Sequence, residues 1–93
     1  MHGYTLDKDD YRNRMHRIEG QVRGIERMIE EDVYCIDILT QIAAVTRTLQ
    51  KVALGIVSEH LNHCVRGAIE TDPEEGTAKI EEAVAAVERL VRT

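Results

Sequence analysis

Two cysteines and a histidine dominate the chemistry that this 93-residue chain can carry. His60 and Cys64 lie in the stretch VSEHLNHCV, residues 57–65. On a helix, a spacing of four puts both side chains on one face, where they can grip one metal ion. Two donors rarely complete a site. The only other cysteine, Cys35, lies 25 residues before His60 and 29 before Cys64. At about 100° per residue it projects within about 20° of both, on the same helical face. Along a straight helix it would stand ~38–44 Å away. The three cannot meet within one chain unless the helix folds back. They do meet if two copies of the helix pack antiparallel about an axis near Thr48 and Leu49, which also creates a second, identical site. The expected site is therefore an interface, with Cys35 from one chain and His60 and Cys64 from another.

Two thiolates and an imidazole form a soft donor set. Three donors suit trigonal Cu(I) and leave Zn(II) short of its usual four. His2 is a candidate additional donor, and with it the preference moves towards Ni(II), Co(II) or Zn(II). One cysteine on an apolar stripe is ordinarily a small hydrophobe. A lone His–x3–Cys pair is also a weak signal, and the shared face of all three residues strengthens it. His63, about 100° round from Cys64, reads as a polar surface residue. His16, among arginines, reads as solvated.

The elements that must position these donors are helical. Tyr11, Met15, Ile18, Val22, Ile25 and Ile29 recur at spacings of four and three and predict an amphipathic helix over about Asp9–Glu31. Asp7, Asp9 and Asp10 suit its N-terminus. A second helix is expected from Asp32, as N-cap, to about Arg66, with Gly67 as its stop. It carries two adjacent apolar stripes, one through Ile38, Ile42, Val45, Leu49, Val52 and Ile56, the other through Ile36, Leu39, Ala43, Leu54, Val57 and Leu61. Gly55 weakens its middle and permits a bend. The third helix follows TDPEEGT. Asp72 can cap it, Pro73 suits its first position and Glu75 can complete a capping box, while Gly76 could instead delay the start to Thr77. Ile80, Val84, Val87 and Val91 form its stripe.

No strand-like alternation appears, so the fold class is all-α: a single domain over residues 1–93, with 1–8 a flexible lead, built as a three-helix protomer with one long central helix. A helix of ~34 residues is ~50 Å long, whereas a compact chain of this size has a radius of gyration of about 12 Å. The second stripe of the central helix is therefore expected to meet another subunit in an antiparallel helical-bundle dimer.

Composition excludes several classes. No apolar run is long enough to span a bilayer, and MHGYTLDKDD is too acidic and polar for a signal peptide. The expected location is cytoplasmic, where two cysteines are ligands or reactive thiols rather than a disulfide. No Gly-rich loop, oxyanion site or substrate cleft is suggested, so neither an enzyme nor a small-molecule substrate is expected. The net charge of −5 argues weakly against nucleic acid. The charge is uneven, however. Five arginines and two glutamates fall between Arg12 and Arg27, and seven acids and three bases between Glu70 and Thr93. Arg14, Arg17, Gly20, Gln21 and Gly24 project to one side of the first helix's stripe, a flat basic patch that a phosphate backbone could approach.

The stretch RIEGQVRGIERMIEEDVYCIDILTQIAAV (residues 17–45), followed by HLNHC, closely resembles the copper-sensitive operon repressors of the CsoR/RcnR family, metal-sensing transcriptional repressors. The resemblance covers about Leu6–Val91. It implies helical dimers that assemble into homotetramers, bind operator DNA without metal and release it on binding the cognate metal. Copper members carry Cys, His and Cys where this chain has Cys35, His60 and Cys64, so the implied ligand is Cu(I). The nickel/cobalt branch has Cys–His–His with an N-terminal His, but the last ligand here is Cys64. The formaldehyde branch relies on an N-terminal Pro and an acidic last position, and the persulfide branch lacks the His. Cyanobacterial nickel sensors keep Cys–His–Cys and add a His near the N-terminus, so His2 leaves that branch open.

The resemblance further implies a supporting role around the metal for Tyr34 and for a glutamate of the third helix, best matched by Glu82 with Glu81 as the alternative. It also implies operator binding by Arg14, Arg17 and Lys51. Gln21 shares their patch, and Arg12, Arg23, Arg27 and Arg47 are candidate helpers. The expected function is Cu(I)-responsive repression of copper-resistance or efflux genes. The alternatives are a Ni(II)/Co(II)-responsive repressor using His2, and a metal-buffering helical protein with no DNA role.

Overall fold

The computed structural model describes residues 7–92, and no strand occurs among them. His2 lies outside the described residues. The order is α1 (Lys8–Glu30), α2 (Cys35–Glu59), a π-helical segment (His60–Val65), α3 (Arg66–Thr71) and α4 (Pro73–Val91). Helical backbone continues from Cys35 to Thr71, so the three helices read from periodicity are present. Two compact units divide the chain. One is Asp9–Val52, and the other contains residues 53–92.

In the first unit, α1 starts with Asp9 and Asp10 in its first turn and ends with Arg27 in its last, both favourable to the helix dipole. Ile18 and Val52 are its buried apolar residues. Asp32, expected to cap the second helix, instead terminates the first, in the left-handed region at φ 56°. Its N–H donates to the Ile29 carbonyl at 3.2 Å, and the Val33 N–H donates to that of Met28 at 3.0 Å. This pair of bonds is a Schellman cap, which satisfies two carbonyls left open at the end of α1. Asp tolerates the left-handed conformation better than most residues. The next helix begins on the Tyr34 carbonyl, which accepts from Asp37 N–H at 3.0 Å and Ile38 N–H at 3.3 Å. Cys35 is thus the first residue of α2.

In the second unit, Gly55 stays within regular α-helix and the irregular stretch falls at His60–Val65. Gly67 does not stop the helix either, which continues to Thr71. The stop comes from Pro73, which disfavours helical backbone at the residue before it. Asp72 is extended (φ −152°, ψ 110°). Its Oδ1 accepts from the Glu74 N–H at 3.1 Å, capping α4, with Pro73 at the helix start. Gly76 does not delay α4 but lies inside it.

α4 packs against both the π segment and α3. Val65, Ala68, Gly76 and Ala83 are buried in this unit, and three of the four are small, so the helices approach closely. A Cβ on Gly76 would stand 2.8 Å from the Cα of Ile69. Gly76→Ala should therefore push α4 off α3 and lower stability by about 1–3 kcal/mol, the usual cost of overpacking. Gly20→Ala is expected to do the opposite. Nothing lies within 4 Å of a Cβ there, so the gain is the helix-propensity difference, about 1 kcal/mol. Urea denaturation at one fixed protein concentration measures both.

Candidate metal centre and nucleic-acid interface

His60 and Cys64 both belong to the π-helical segment. Such segments are rare and frequently occur at functional sites. Both side chains are half-buried, whereas Cys35, at the start of α2, is exposed. Neither cysteine is in a disulfide. Cys35 and Tyr34 lie in the first unit, and His60 and Cys64 in the second. Among the described residues, no three His, Cys, Asp or Glu side chains come together within the chain as a metal-binding group.

In the second unit, α4 lies across from the two candidate donors. An open cavity of about 590 Å³ is lined by His60, His63, Cys64, Gly67, Ala68 and Thr71 on one side and Glu75, Lys79 and Glu82 on the other. A second cavity, of about 310 Å³, is lined by Ile56, Val57, His60, Glu82, Ala83, Ala86 and Arg89. His60 and Glu82 border both. Glu81, the alternative to Glu82, borders neither. Glu75, expected in a capping box, instead faces the cavity of the two donors. His63, read from the sequence as a polar surface residue, is exposed and borders the larger cavity, and the sequence reading did not single out Lys79 or Arg89. For Lys79 and Arg89 the signal lay in the spacing of α4 residues 75, 79, 82, 86 and 89, a polar-to-small stripe beside the apolar one.

The first unit gathers the candidate nucleic-acid contacts. Arg14, Arg17 and Gln21 from α1 and Thr48, Lys51 and Val52 from α2 line one cavity of about 440 Å³. Lys51 stands 30 residues beyond Gln21 in sequence, so only the pairing of α1 with α2 brings it there. Three cations and no carboxylate line this space. The Arg14 Nε is 3.1 Å from Asp10 Oδ2, and its guanidinium lies 5.9 Å from the Tyr11 ring centre. Both contacts are exposed and weak, so Arg14 is presented towards the cavity without being held away from a phosphate. Gly20 and Gly24 have open space where a Cβ would be, which keeps the adjoining face of α1 flat. Arg12 pairs with Asp9 at 3.7 Å, and neither it nor Arg23, Arg27 or Arg47 borders the cavity.

The arrangement thus offers soft metal donors in one unit and a basic cleft in the other. The sequence profile of the metal-sensitive transcriptional repressor family matches residues 7–89. The chain is 58% identical over 92 residues to the copper-sensing transcriptional repressor RicR of Mycobacterium tuberculosis, covering 99% of this chain and 96% of that protein. It is 46% identical over 80 residues to the copper-sensing transcriptional repressor CsoR of Bacillus subtilis, covering 85% of this chain and 79% of that one. The crystal structure of the copper-sensing repressor CsoR with Cu(I) from Geobacillus thermodenitrificans matches with a TM-score of 0.84 at 36% identity, over 94% of this chain and 88% of that one. The chain belongs to the metal-sensitive transcriptional repressor family. No helix among the described residues is long and apolar enough to cross a membrane.

Proposed function

We propose that this protein is a cytoplasmic Cu(I)-responsive transcriptional repressor. Its apo form binds operator DNA as a homodimer or homotetramer, and Cu(I) binding at an intersubunit Cys35–His60–Cys64 site releases it, derepressing copper-resistance or efflux genes. The observation that carries this reading is the pairing of His60 and Cys64 on one π-helical segment in a chain whose relatives are copper-sensing repressors. Two sulfur donors and one nitrogen donor, neither sulfur in a disulfide, fit Cu(I).

Assembly is supported by the apolar surface of α2. Leu39 is 58% exposed and Leu54 53%, and Ile36, Ile42, Leu49 and Ile56 are exposed too. Fully burying each such side chain contributes roughly 1.5–3 kcal/mol, so a second copy of the helix is the natural cover. An antiparallel copy brings Cys35 of the partner subunit to His60 and Cys64.

Cys35 of one chain and His60 and Cys64 of another would hold Cu(I), whose positive charge would link the two chains through their thiolates and imidazole. The chain's own residues transmit this. Cys35 ties the start of α2 to the other subunit. His60 offers one ring nitrogen as ligand and presents the other N–H to Glu82, which lines both cavities beside it. That hydrogen bond would tie α4 to the liganded state. Tyr34, next to Cys35, supports the same site from the first unit. Arg14, Arg17, Gln21 and Lys51 grip the operator in the apo state. Metal and DNA then favour different arrangements of the same assembly, and the coupling is reciprocal: about 3 kcal/mol between them weakens DNA binding by about 150-fold.

The test is fluorescence anisotropy with duplex DNA from upstream of the protein's own gene. Apo protein should bind with steep salt dependence, and one Cu(I) per protomer should release it. A protein that binds no DNA, or stays bound with Cu(I), is not this repressor.

A further inference from the structure

Building on the Cu(I) reading above, we propose that His63 is the receiving ligand of the metal site: it takes Cu(I) from a small thiolate complex and passes it inward to Cys64. His63 is exposed, whereas Cys64 and His60 are half-buried, and all three border the same open cavity. The side chains therefore run from solvent to interior around one space. Cu(I) in water is carried on a ligand, and it moves between ligands by association: an incoming donor binds before the outgoing one leaves. Within the unit of residues 53–92, the half-buried Cys64 thiol is a poor first contact for a bulky complex. An exposed imidazole at the rim is a good one, and its borderline softness lets it bind Cu(I) without retaining it against thiolates.

Adjacent helical residues do not face each other, so His63 and Cys64 serve the ion in succession. The transfer balances without an oxidant. A Cu–N bond to His63 forms as the carrier's S–Cu bond breaks, that Cu–N bond then breaks as a Cu–S bond to Cys64 forms, and the proton lost by the Cys64 thiol ends on the released carrier thiolate.

Stopped-flow mixing of reduced apo protein with Cu(I)–glutathione tests this, following the thiolate-to-Cu(I) absorption. His63→Ala should slow transfer about tenfold, the loss expected when a capturing group is removed. The equilibrium Cu(I) affinity, from competition with a chelator, should stay within about twofold. His63→Met, which restores a soft exposed donor, should recover most of the rate. Asn62→Ala, at an exposed position that does not border the cavity, should change neither. An unchanged rate in His63→Ala overturns the proposal. A parallel fall in affinity also overturns it, because His63 would then be a resident ligand. Wild-type protein that takes up no Cu(I) would instead sink the repressor reading itself.

Discussion

Cys64→Ala should give a protein that holds operator DNA within about twofold of wild type but that Cu(I) no longer releases. Cys64 lies in the unit of residues 53–92, and the basic cleft of Arg14, Arg17 and Lys51 lies wholly in the other. Substitutions that share no interaction partner leave each other's energetics nearly untouched. Removing one of three donors also leaves His60 with a single sulfur partner. The Cu(I)-induced loss of DNA affinity should therefore shrink from about 150-fold to near unity. Cys35→Ala should behave the same way.

A mixture of the two variants separates an intersubunit site from an intrachain one. In a mixed dimer, Cys35 of the Cys64→Ala chain meets His60 and Cys64 of the Cys35→Ala chain and rebuilds one complete site. Co-refolded variants should thus regain Cu(I) binding at about one ion per mixed dimer. Failure to regain it would refute the shared site, and release of either single variant by Cu(I) would refute the ligand assignment.

The second large effect belongs to the cleft. Arg17→Ala or Lys51→Ala should weaken apo-protein binding to operator DNA by about tenfold or more, because each substitution recurs in every subunit of the assembly and each removes a neutralised phosphate. The slope of log affinity against log salt should fall in magnitude by about 0.9 for each phosphate that is no longer neutralised. Cu(I) affinity in the absence of DNA should not change. Arg47→Ala, which alters a cation outside the cleft, should have a much smaller effect. Anisotropy titrations at several salt concentrations measure all of these. An Arg17→Ala protein with wild-type affinity and salt slope would place the DNA elsewhere on the surface.

What could be read directly from residues was what depends on neighbours close in sequence. The His60–Cys64 pair and the apolar periodicity of α1, α2 and α4 are spacings of three and four. A helix converts such spacings into shared faces whatever surrounds it. Pro73 and Asp72 announced the start of α4 for the same reason: backbone geometry and a side-chain cap act within one turn. Ambiguity arose where one residue suits two local roles. Asp32 is as good an N-cap as a left-handed terminator, and the carbonyls of Met28 and Ile29 claimed the N–H groups of Val33 and Asp32.

Tertiary packing decided the rest. The close approach of Gly76 to Ile69 of α3 and the burial of Ala83 set how α4 lies on α3 and the π-helical segment. That rotation puts Glu82, and not Glu81, beside His60, and brings His63, Glu75 and Lys79 to one cavity. Likewise, Lys51 joins Arg14 and Arg17 only because α2 returns along α1. The sequence by itself determined the helices, their apolar faces and the donor types, since each follows from short-range spacing. Only the tertiary structure decided which helix faces meet, because that depends on the fit of side chains far apart in the chain.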